Sequence, residues 1–85
     1  MAVTSVSQFH FYSTENALEA ISLLTSIDFR YVPLSNPRSP YVAKIIIDAN
    51  FTEDVDHALF NKTSIPYHFC DENFKETSRL RREGN

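Results

Sequence analysis

The 85 residues carry 8 Lys and Arg against 11 Asp and Glu, a formal net charge of −3, and 42% of the side chains are hydrophobic. A chain this short makes one domain that buries about 60% of its unfolded surface, and its single Cys excludes an internal disulfide framework. The acidic balance gives no general attraction to nucleic acid or anionic membrane, and the apolar run Ile45-Ile46-Ile47 is far too short for a membrane-spanning helix.

Residues 1–8 have neither the basic start nor the long apolar run of a signal peptide, which predicts a cytoplasmic protein. Residues 6–12 alternate as a strand does, with Phe9 and Phe11 on one side and His10 and Tyr12 on the other. Ser13 or Thr14 then supplies a helix N-cap, and Glu15 sits in the first turn, where the helix dipole favours negative charge. Ala17, Ile21 and Leu24, with Ala20 and Ile27 alongside, recur at helical spacing through Ser26. That spacing predicts an amphipathic helix of about three to four turns.

Residues 29–34 read as a second strand, broken by Ser35-Asn36-Pro37, with Pro37 and Pro40 bracketing a stiff turn. Residues 41–49 are the strongest strand, and their β-branched centre suits the middle of a sheet. Thr52 is expected to cap a second, shorter helix, with Glu53 and Asp54 in its first turn and Val55, Ala58 and Leu59 as its buried stripe. Asn61-Lys62 ends it before a last strand over residues 64–70. The sole Gly is Gly84, so Asn50 and Asn61 are the candidates for left-handed turn positions. Residues 72–85 read as a polar, flexible tail holding Arg79, Arg81 and Arg82.

The order strand, helix, strand, strand, helix, strand is the pattern of a ferredoxin-like βαββαβ, two-layer α+β sandwich. It predicts a single domain over residues 1–71, with four antiparallel strands in the order 4-1-3-2 and two helices on one face. Parity then divides the strand residues. Phe9, Phe11, Ile45, Ile47, Tyr67 and Phe69, with Phe29 or Tyr31, are expected to meet the helices. The opposite face collects His10, Tyr12, Arg30, Val32, Val42, Lys44, Ile46, His68 and Cys70. That mixture of apolar, aromatic and cationic groups is too apolar for an idle solvated surface and too polar for a core.

The scaffold hosts many unrelated functions, so each chemistry has to be weighed on its residues. His10, His68 and Cys70 form the one metal-like grouping, but a closed zinc site needs a fourth ligand, and surface histidines beside an inert thiol explain them as well. Read as a Cys–His nucleophile pair, they lack a Gly-rich turn for an oxyanion hole and a cleft. Asp48, Glu53, Asp54 and Asp56 are explained by their place at a helix start. The RNA-recognition motif shares this topology and stacks bases on its open face. Here Tyr12 and Tyr41 are partial counterparts, and the third strand lacks that motif's Gly and aromatic pair.

The Ser13-Thr14 helix start could hold a small anion, although a plain N-cap explains it more simply. No enzyme activity, metal or cofactor is expected. The expectation is a small non-enzymatic binding or regulatory protein of inhibitor or adaptor type. It contacts another protein through His10, Tyr12, Arg30, Val32, Lys44, Ile46 and His68, through the tail arginines, or through both. A homodimer is the most economical cover for that face, single-stranded RNA is the alternative occupant, and small-ligand sensing is a lesser one.

Overall fold

A computed structural model of the chain describes residues 5–71 and 77–79. The elements run β1 (Val6–Phe11), α1 (Thr14–Ile21), β2 (Phe29–Pro33), β3 (Ala43–Asp48), a 3-10 turn (Ala49–Phe51), α2 (Thr52–Lys62), β4 (Tyr67–Asp71) and β5 (Thr77–Arg79). The sheet order is β2-β3-β1-β4-β5, and every neighbouring pair is antiparallel. The first four strands and two helices therefore make the expected ferredoxin-like α+β arrangement. A fifth short strand, within the residues expected to be tail, extends the sheet beyond β4.

Strand parity decides what each face buries. Phe9, Phe11, Ala43, Ile45, Ile47, Tyr67 and Phe69 form one cluster with Ala17, Ala20 and Leu24 from the α1 region, Val55 and Leu59 from α2, and Ile65. Each large side chain fully buried in this way contributes about 1.5–3 kcal/mol from water exclusion. Within the cluster Phe9 lies 5.1 Å from Phe69 and 5.8 Å from Tyr67 between ring centroids. From β2 it is Tyr31 that packs against the core, whereas Phe29 stays 38% exposed.

Two polar contacts tie the helical layer to the sheet. The hydroxyl of Tyr67, a fully buried residue, reaches the carbonyl oxygen of Asp56 at 3.0 Å and also meets the Asp56 carboxylate. Ser7 shares the inward parity of Phe9, and its buried hydroxyl bonds to Thr52, which in turn donates to the Ala49 carbonyl at 2.7 Å. Ser7, Thr52, Asp56 and Tyr67 are thus buried with partners, which offsets the penalty of burying them.

Local rules were obeyed at α1 and overridden at α2. Ser13 caps α1 by accepting the Asn16 N–H at 3.1 Å. Yet α1 spans only 8 residues, and the chain beyond it turns through Leu23 and Leu24 with bonds back to Ala20 and Ile21. Helix α2, expected to be the shorter, has 11 residues. Thr52 is not its cap: Asp48 caps the preceding 3-10 turn through the Asn50 N–H at 2.9 Å, and that turn feeds directly into the helix. Asn50 lies in that right-handed turn and Asn61 in the body of α2, so neither is a left-handed turn residue.

The outer edge of β2 ends at Pro33. The Leu34 N–H is turned inward to the Val42 carbonyl at 2.9 Å. Backbone alternation therefore directs the Pro33 nitrogen, which carries no hydrogen, toward the unpaired edge. A proline is tolerated there and blunts the edge as a template for further strands.

Candidate functional site on the open sheet face

The even-numbered residues of β1, β3 and β4 point away from the helices and are half-buried. Cross-strand register lines them into rows. One row runs Arg30, Ile46, Gln8, Cys70 and the next Val32, Lys44, His10, His68, with Ser78 of β5 opposite His68. All of His10, Tyr12, Val32, Lys44, Ile46 and His68 are half-buried and Arg30 is exposed, so the expected site residues come together on one surface. Both helices lie on the opposite side, and among the described residues no second layer covers these rows. Of the tail arginines, Arg79 belongs to β5, where it stands opposite Tyr67; Arg81 and Arg82 lie outside the described residues.

A ring cluster occupies one end of this face. Tyr41 lies at its centre, 5.0 Å from Tyr12, 5.2 Å from His10 and 5.6 Å from His68, with His10 and His68 themselves 5.9 Å apart. Tyr41 precedes β3, and the turn before it fixes its approach. The Arg38 N–H bonds to the Asn36 side chain at 2.9 Å, the Ser39 N–H to the Asn36 carbonyl at 3.1 Å, and the Tyr41 N–H to the Ser39 hydroxyl at 3.1 Å. Sequence parity alone misses Tyr41 as a site residue, because the strand is irregular there: the Val42 N–H goes to Phe11 of β1 while its carbonyl serves Leu34. The signal that could have found it is the aromatic directly after Pro40.

The middle of the face is cationic. Lys44 donates to the Gln8 side-chain oxygen at 3.0 Å, a neutral partner. Arg30 and Ile46 also border a groove of about 410 Å³ at the other end of the sheet. Phe29 and Phe51, 38% and 39% exposed, line it together with Asp28 and Asp48. Cys70 is a free, half-buried thiol one row along from His68, opposite Gln8. Among the described residues no group of three His, Cys, Asp or Glu is placed to hold a metal ion.

The other sequence candidates separate in space. Asp48 caps the 3-10 turn, Glu53 and Asp54 are exposed in the first turn of α2, and Asp56 is buried against Tyr67. They do not converge as an acid–base pair would have to. The Ser13 hydroxyl is occupied by the Asn16 N–H, as the plain N-cap reading requires. No helix among the described residues is long and apolar enough to cross a membrane. Comparisons with family models, curated proteins and solved structures give no match to this chain.

Proposed function

We propose that this is a small non-enzymatic binding protein, of inhibitor or adaptor type, that acts in the cytoplasm by contacting another protein through the open sheet face. The observation that carries the reading is the pair of rows from Arg30 to Cys70 and from Val32 to His68, with no second layer among the described residues. A partner seated there would cover Val32, Ile46 and the Tyr12–Tyr41 rings, which supply the apolar and aromatic content typical of an interface centre. Lys44 and Arg30 would sit beside them as orienting charges. The arginines of the C-terminal segment are a second contact in the same proposal.

The ring cluster favours single-stranded RNA as a second reading, because bases stack on such side chains. The acidity of the chain as a whole weighs against it. The test is Ile46→Asp in the full chain. It is expected to weaken capture of a partner while the helical circular-dichroism signal stays unchanged. Undiminished capture and unchanged gel filtration would overturn the assignment of this face. Salt-sensitive binding of a short single-stranded RNA that weakens with Tyr12→Ala would establish the second reading instead.

A further inference from the structure

The groove of about 410 Å³ at the end of the sheet brings charges of both signs onto one apolar lining. It is built where β2 begins, with Phe29 and Arg30, and where β3 ends, with Ile46 and Asp48. The 3-10 turn adds Phe51, and the chain entering β2 adds Asp28. Phe29 and Phe51 are 38% and 39% exposed, so large aromatic surface is left open beside the charges. A volume within about 300–1,000 Å³, lined by apolar groups with a few polar ones, is the usual form of a small-molecule site.

The charges do not cancel one another inside the groove. Among the described residues neither Arg30 nor Asp28 makes an ion pair or a side-chain hydrogen bond. Asp48 accepts the Asn50 N–H on Oδ1 at 2.9 Å, which orients its carboxylate, and its second oxygen carries no further bond among the described residues. A guanidinium and two carboxylates therefore line one groove without being spent on each other. A ligand of a single sign meets its own sign there, and such juxtaposition rejects it.

We infer that this groove binds a free α-amino acid with a large apolar side chain, preferably aromatic. The ammonium group of the ligand meets the carboxylates of Asp28 and Asp48. Its carboxylate meets the Arg30 guanidinium, whose planar fork suits two parallel bonds. The apolar side chain lies against Phe29, Phe51 and Ile46, where ring contacts add to water exclusion. A fatty acid or a dicarboxylate would face Asp28 and Asp48 uncompensated, and a polyamine would face Arg30. The site goes beyond the protein contact proposed above and does not rest on it, although Arg30 and Ile46 border both.

The test titrates the labelled full chain with phenylalanine and follows amide shifts. Saturable changes are expected at Phe29, Arg30, Ile46, Asp48 and Phe51. N-acetylphenylalanine, which lacks the ammonium, and phenylalanine amide, which lacks the carboxylate, should each bind on the order of tenfold more weakly, because each forfeits a charged hydrogen bond. Arg30→Ala should weaken phenylalanine by a similar factor and leave the affinity for the amide unchanged, since that ligand has nothing for the guanidinium to hold. Asp28→Asn should do the same for phenylalanine against its N-acetyl form. Circular dichroism of both variants should match the wild type, as both positions are exposed. Analogues that bind as tightly as phenylalanine, or shifts confined to other parts of the molecule, would overturn the inference. So would the failure of every apolar amino acid to move these amides at millimolar concentration.

Discussion

Ile45 and Ile46 are the same side chain on adjacent residues of β3, yet Ile45 is 2% exposed beneath the helices and Ile46 stands half-buried on the far side. The contrast repeats across the sheet, with Phe9 beside His10 on β1 and Tyr67 beside His68 on β4. One face is closed by Ala17, Ala20, Leu24, Val55 and Leu59. Among the described residues, the other is closed only by the lateral contact of its own side chains, such as Lys44 on Gln8 and Tyr41 on His68. The lesson is a division of labour within one set of strands. The inward residues supply cohesion, and the outward ones are held in place by it without being needed for it.

The comparison can be broken from either side, and the inward side offers the larger effect. Tyr67→Phe removes the buried hydroxyl that donates to the Asp56 carbonyl and meets its carboxylate. It should cost about 1–3 kcal/mol in urea unfolding, and an unchanged midpoint would show that water takes over that role. On the outward side, Lys44→Glu should stay within about 0.5 kcal/mol of the wild type, as surface substitutions do. A larger loss would mean that the Lys44–Gln8 contact belongs to the cohesive part of the fold.

Much of this division was legible in the residues. Period-2 alternation in 6–12, 41–49 and 64–70 carries enough information to assign faces, because a shift of one residue would move the whole apolar set to the wrong side. A helix cap at Ser13 or Thr14 was legible too, because cap chemistry is local, and the structure places it at Ser13. What escaped was whatever depends on distant partners. Ser7 looks like an exposed polar residue until Thr52 arrives to bond it. Thr52 looks like a cap until Asp48 takes over the turn before it. The relative lengths of α1 and α2 are set by how each packs on the sheet, and propensity is a weak guide to that. Tyr41 joined the ring cluster through an irregular turn that no periodicity describes. Strand β5 was hidden in a polar stretch, because an edge strand draws on backbone bonds to β4 rather than on an apolar pattern.

The division of labour is tested most directly by comparing Ile45→Asp with Ile46→Asp in urea unfolding followed by circular dichroism. Both place Asp in the same central strand, so the strand-propensity cost of about 1 kcal/mol is shared, and the difference between them isolates burial. The account predicts that Ile45→Asp, which buries an unpaired charge, fails to fold, while Ile46→Asp unfolds cooperatively within about 1 kcal/mol of the wild type beyond the shared cost. Equal losses in the two variants would contradict it.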